Sequence, residues 1–166
     1  MKIVYVDPHE DPVAVRTHSR ISDAMLAVRQ KLLMACGGKG LCATCHVYVT
    51  AGEDCLSPQT PRERVALTML SDRKPSSRLA CQAKVLREGI KIALPKGQFI
   101  DGTTDLEALI GRRAEEQILH PITGLVLIPA GKIITRSRVR ELSFVDVDVQ
   151  EMRARSMTIE RELAKK

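Results

Sequence analysis

Five cysteines carry the most chemically suggestive pattern in this 166-residue chain. Three lie within CGGKGLCATCH, from Cys36 to His46, spaced as C-x5-C-x2-C. Cys81 follows in RLACQ, and Cys55 lies between. Thiolates are soft ligands, and four of them suit either Zn2+ or an iron–sulfur cluster. Zinc ribbons and fingers pair two short hooks of two ligands each. Here one long asymmetric loop is combined with one distant cysteine. A cluster of two irons is larger than one ion, so the chain must wrap around it, and a stretched first spacing serves that purpose. Gly37, Gly38 and Gly40 let the backbone approach closely and turn its N–H groups toward sulfur. Such bonds stabilise an anionic cluster. The spacing favours a cluster and leaves a structural zinc open.

The setting agrees with metal or redox chemistry. The start, MKIVYVDPHEDP, meets acidic residues and prolines early and lacks the long apolar core of a secretory signal. The longest apolar runs, such as LVLIPA, fall far short of the ~20 residues of a spanning helix. The expected location is the cytoplasm, where clustered cysteines bind metals more often than they form disulfides. Apolar residues make up 44% of the chain, enough for a core, but there are only two Phe, two Tyr and no Trp, so that core must be aliphatic. The formal charge is +6. Residues 1–97 hold 15 Lys/Arg and 9 Asp/Glu, whereas residues 98–166 hold 11 of each, so the excess sits with the cysteines.

Several elements must position those cysteines. KIVYVDP (2–8) and PVAVRTH (12–18) read as two strands of a hairpin. A helix is predicted from an N-cap at Ser22, with Met25, Val28, Leu32 and Ala35 on one apolar face, running into Cys36 and stopping at Gly37–Gly38. HVYVT (46–50) reads as a third strand. TPRE (60–63) carries a capping box, with Thr60 as cap, Pro61 in the first turn and Glu63 reaching back. GIKIALP (89–95) reads as a closing strand, and Pro95–Lys96–Gly97 as a domain end. Beyond it, a capping box at Thr104 and Glu107 predicts a helix to about Leu119. HPITG predicts a turn and LVLIPAGKIIT (125–135) a hairpin. A last helix is predicted from about Asp148, with Val149, Met152, Ile159 and Leu163 on one stripe that Ser156 interrupts.

These residues resemble the 2Fe-2S ferredoxins of the adrenodoxin and iron–sulfur-assembly branch, which keep five residues between the first two cysteines. ACGGKGLCATCHVYV, AGEDCLSP, SSRLACQAKV and GIKIALP come in that branch's order, over about residues 1–97. The resemblance implies an α+β fold. A β-grasp ferredoxin-like domain would span 1–97; residues 98–166 lie outside the resemblance and read, from their own patterns, as a mixed α/β C-terminal extension made of a helix, a β-hairpin and a terminal helix. The resemblance also implies a 2Fe-2S cluster as cofactor, ligated by Cys36, Cys42, Cys45 and Cys81. His46 is then a structural hydrogen-bonding residue, since a Rieske-type ligand role needs two His in place of two Cys. Cys55 is read as a buried small hydrophobe or a spare thiol, and His9, His18 and His120 as surface or turn residues.

The expected function is one-electron transfer between redox proteins. No general base or nucleophile stands out, so the chain is not read as an enzyme. Adrenodoxin-like proteins dock basic partners through acidic residues around the helix after the cluster loop. Here SPQTPRERVALTMLSDRKP sets Arg62, Arg64, Arg73 and Lys74 against Glu63 and Asp72, so an acidic partner is expected. The extension is expected to dimerise the chain or to anchor it to a larger, membrane-bound complex. Two rivals remain, a redox sensor and a cluster-assembly protein. Few aromatic residues and no helix-turn-helix signature argue against nucleic acid.

Overall fold

The computed structural model describes residues 1–9 and 11–166. β1 (Lys2–Val6) and β2 (Val13–Val15) form the expected antiparallel hairpin, alternating buried and exposed side chains. β1 also pairs in parallel with β5 (Ile90–Ala93). β3 (His46–Ala51) runs antiparallel to β5 and to β4 (Ser77–Leu79), a short strand with no signal of its own in the sequence. The resulting sheet has the order β2-β1-β5-β3-β4. Its buried face is aliphatic, with Val4, Val6, Val47, Leu79, Ile90 and Ile92 at its centre. This mixed sheet gripping a helix is the β-grasp arrangement.

That helix, α1, spans only Ile21–Ala27. Its N-cap is Arg20, whose backbone N–H donates to the Asp23 carboxylate at 2.9 Å; Ser22 lies buried inside the first turn. The amides of Ile21 and Ser22 donate to the carbonyls of Ala83 and Ala80, which ties the helix start to the segment bearing Cys81. The predicted continuation to Cys36 fails because Arg29 takes a left-handed conformation, φ 56°, and turns the chain away. The apolar spacing serves two cores instead of one helix face. Met25, Val28 and Leu32 pack on the sheet, whereas Ala35 packs on a second core.

After β3 comes a 3-10 turn, Glu53–Cys55, and then α2, Pro61–Thr68, capped by Thr60 as its sequence specifies. The Thr60 hydroxyl accepts from the Glu63 N–H at 3.1 Å, and the Glu63 carboxylate accepts from the Thr60 N–H at 3.4 Å.

Residues beyond 97 build a second, smaller sheet of order β6-β7-β8: β6 (Gln98–Phe99), β7 (Ile118–Leu119) and β8 (Val126–Ile128). The helix predicted to reach Leu119 is a single turn, α3 (Thr104–Glu107). Gly111, with φ 88°, turns the chain there, and Ile118–Leu119 is strand. The hairpin predicted over 125–135 does not form either. β8 pairs with β7, while Ile133 bridges Arg113 and the Ile134 N–H donates to the Arg112 carbonyl at 2.9 Å. α4 (Arg136–Glu141) was not expected. α5, Phe144–Ala164, begins four residues earlier than the apolar stripe suggested.

Val145, Val149, Met152 and Ser156 form the buried face of α5, so Ser156 continues the stripe that it was expected to interrupt. Ile118, Leu127, Ile134, Leu142 and this face form the second core. His120, expected at the surface, is buried. Its Nδ1 accepts from the Ile122 and Thr123 N–H groups, and its Nε2 lies 2.9 Å from Asp148 Oδ2. No described helix is long and apolar enough to cross a membrane.

Candidate metal centre

The segment from Gln30 to Cys45 has no regular secondary structure, and it presents three of the thiols. Gly37, Gly38 and Gly40 all have positive φ, between 67° and 79°. At two of these positions space is as tight as the backbone. A Cβ on Gly40 would come within 3.0 Å of Gln82 Cδ, and one on Gly38 within 3.1 Å of Met34 Cε. The loop therefore coils tightly, and the amides of Gly38, Lys39 and Leu41 are placed to lower the Cys36 thiol.

The four spaced cysteines form two pairs. Cys45 and Cys81 lie with their sulfurs 3.3 Å apart, across the β3–β4 end of the sheet. Cys36 and Cys42 are in hydrogen-bonding contact at the two ends of the glycine loop. All four are buried. In each pair one thiol serves the other as donor. The Cys42 thiol holds Cys36 down to about 5, with the loop amides reinforcing it. Cys42 is pushed up by that bond and by burial. Likewise Cys81 is lowered by its bond from Cys45, while Cys45 is raised well above the usual thiol range by the same bond and by burial.

Polar groups complete the surroundings of each sulfur. Thr44 Oγ1 lies 3.1 Å from Cys42 Sγ and accepts from the Ala35 N–H at 3.2 Å, so its own proton is free for the sulfur. Gln82 Nε2 lies 3.5 Å from Cys81 Sγ and donates to the Gly38 carbonyl at 3.0 Å. Backbone amides of Gly40, Thr44 and Cys81 reach the sulfurs of Cys81, Cys42 and Cys45. Thr44 and Gln82 were not singled out from the sequence. Their adjacency to the candidate cysteines was the signal that could have found them.

This donor set fits a cofactor of two metals. A single tetrahedral zinc needs four thiolates about 2.3 Å from one centre. Here the four thiols fall instead into two pairs, Cys45 with Cys81 and Cys36 with Cys42. Two neighbouring thiol pairs, each ringed by N–H donors, suit an anionic cluster with one pair per metal.

The remaining sequence candidates stand outside. Cys55 Sγ lies 3.8 Å from Asp54 Oδ1 in the 3-10 turn, packed at the edge of the first core. His46 is buried, with Nε2 2.9 Å from Ser77 Oγ, a structural role, and burial lowers it to about 4. Its ring meets Tyr48 edge-on at 4.7 Å. The Tyr48 hydroxyl donates to Asp72 Oδ2 at 2.5 Å, and burial together with this bond raises its pKa. His9 and His18 are exposed.

The extension meets the cysteine loop directly. Cys36 and Cys42 belong to the second core, as do Ile122 and Met152, and are only 3% and 1% exposed. The Ala43 N–H donates to the Pro121 carbonyl at 2.7 Å. Ser156 Oγ lies 3.2 Å from the Cys36 carbonyl.

A family model described as "2Fe-2S iron-sulfur cluster binding domain" matches residues 4–86. Ferredoxin CarAc of Sphingomonas sp. is 44% identical over 66 residues, which cover 38% of this chain and 61% of that protein, less than two thirds of its length. A 2Fe-2S ferredoxin of Pseudomonas aeruginosa is 37% identical over 76 residues, 46% of this chain and 68% of that protein. Among solved structures, the ISC-like 2Fe-2S ferredoxin FdxB of Pseudomonas putida superposes with a TM-score of 0.53 at 31% identity. It covers 57% of this chain and 93% of that one.

Proposed function

This chain belongs to the 2Fe-2S iron–sulfur cluster binding family, and from that premise we propose that it carries single electrons between redox proteins. The observation that carries this reading is two buried thiol pairs, Cys45 with Cys81 at 3.3 Å and Cys36 with Cys42 across the glycine loop, with Thr44 and Gln82 against their sulfurs. Cys36 and Cys42 are the proposed ligands of one iron, and Cys45 and Cys81 of the other. Bound there, a 2Fe-2S cluster supplies reversible one-electron chemistry that needs no proton. The protein's part is to hold the thiolates, to exclude water by burying all four, and to aim amides, Thr44 and Gln82 at the sulfurs. Each cycle takes one electron from a donor protein and gives one to an acceptor protein. Residues 1–97 are the carrier unit of this proposal, and residues 98–166 an extension that covers its cysteine loop.

Partner choice rests on α2 and the turn after it. Arg62, Arg64, Arg73 and Lys74 are exposed there, around the exposed apolar side chains of Val65 and Met69. An apolar centre with a basic rim suits a partner with an acidic face. Glu63, the acidic residue inside α2, contributes nothing to this surface because it is buried.

Anaerobic purification followed by visible spectroscopy tests the reading. The expected result is a red-brown protein holding iron and sulfide in equal amounts, whose bands bleach on reduction with dithionite. A colourless protein with one tightly held zinc would overturn it.

A further inference from the structure

Lys39 sits inside the glycine loop, between Cys36 and Cys42. Its side chain is only 16% exposed, unusual for a lysine on a loop. The ammonium donates to Ser156 Oγ at 2.7 Å and to Glu160 Oε1 at 2.6 Å, both on α5. Ser156 Oγ donates in turn to the Cys36 carbonyl at 3.2 Å. Lys39 Nζ also lies 3.7 Å from where a Gly37 Cβ would be, so the charge is folded back over the loop. Holding a lysine in one geometry costs side-chain entropy, and the contacts to α5 offset that cost.

We propose that Lys39 sets the reduction potential of the metal centre, with Ser156 as a positioning residue acting through it and the Glu160 carboxylate as an opposing charge that tempers it. The inference rests on the carrier reading above and adds the extension to the redox apparatus. Gaining an electron makes the site one unit more negative. A fixed ammonium in a partly buried place lowers the free energy of that state, and solvent screens it less than it would screen a surface charge. The Glu160 carboxylate opposes the ammonium in sign. Removing the two charges must therefore move the potential in opposite directions. A purely mechanical strap would behave differently, since loosening the loop from either side would shift the potential in the same direction.

The experiment is anaerobic equilibration of the full-length cluster-loaded protein with a one-electron redox dye. Lys39→Met is expected to disfavour reduction by roughly threefold to tenfold, or about 30 to 60 mV at 59 mV per tenfold for one electron. Glu160→Gln is expected to favour reduction, and Lys39→Arg to stay near the wild-type value. In the metal-free chain, Ser156→Ala is expected to speed hydrogen exchange across residues 37–41. Should Lys39→Met fail to fold, Lys39→Gln, judged against Lys39→Arg, takes its place. Shifts of the same sign in Lys39→Met and Glu160→Gln, or none, would overturn this inference while leaving the carrier reading intact. A wild-type protein without a reducible cluster would sink both.

Discussion

Five thiols of one chemical type separate into roles by their surroundings alone. Cys36, Cys42, Cys45 and Cys81 are buried, paired and reached by N–H donors, whereas Cys55 faces the Asp54 carboxylate at the edge of the first core. An anionic cluster gains from the first setting and is repelled by the second. Cys55→Ser is therefore expected to keep the full iron content, and Cys45→Ser to lose most of it, as read by iron analysis and visible absorbance. Tyr48 offers a test at alkaline pH. Burial and its bond to Asp72 raise its pKa above the ordinary tyrosine value of about 10. The unfolded chain ionises first, so stability is intact below about pH 10 and falls as the pH rises above that value. Tyr48→Phe should blunt this fall in denaturant midpoints. An equally steep loss in that variant would refute the assignment.

At the scale of elements, α2 shows how one side chain can serve two purposes. Glu63 closes the helix start with Thr60 and also reaches across to β4. There it accepts from Arg78 Nε at 2.8 Å and from the Leu79 N–H at 2.9 Å. The carboxylate is 0% exposed and its partner guanidinium 3%. Removing one member of a buried pair strands the other, which costs about 3–5 kcal/mol. Glu63→Ala is expected to lose that much in urea unfolding, whereas Thr60→Ala, losing only a cap, should lose about 1 kcal/mol. Comparable losses for the two would show that the pair to Arg78 contributes little. The capping box was legible in the sequence because its partners are three residues apart. The pair to Arg78 was not, because nothing local marks a partner fifteen residues away.

Across the whole molecule, the cysteine loop is shared between two cores. Cys45 and Cys81 pack with the grasp sheet, and Cys36 and Cys42 with the extension. Loosening the second core should therefore reach the metal centre. Met152→Ala, at a fully buried position, is expected to cost about 2–5 kcal/mol and to speed iron loss to a chelator. Unchanged iron retention at that cost in stability would uncouple the two. The molecule's outer surface makes a separate prediction. Arg62→Glu with Arg64→Glu should weaken binding to an acidic-faced redox partner and flatten its salt dependence, measured by titration calorimetry. Tight, salt-sensitive binding of the unmodified protein to a basic-faced reductase would contradict the proposed docking face.

Sequence alone determined what depends on near neighbours. The C-x5-C-x2-C spacing, the glycines between its first two members, the alternating strands and the box at Thr60–Glu63 are all short-range patterns, and the chain folds as they indicate. Tertiary structure decided the rest. The apolar spacing from Met25 to Ala35 was ambiguous because periodicity records that residues are buried, not which core buries them. His120 was expected at the surface and Ser156 to interrupt the apolar stripe, because a polar side chain gives no local sign of the partner that will satisfy it. Ser156 meets Lys39 across 117 residues and Cys36 across 120. Contacts at such separations leave no periodic trace, and only packing the extension on the cysteine loop brings them together.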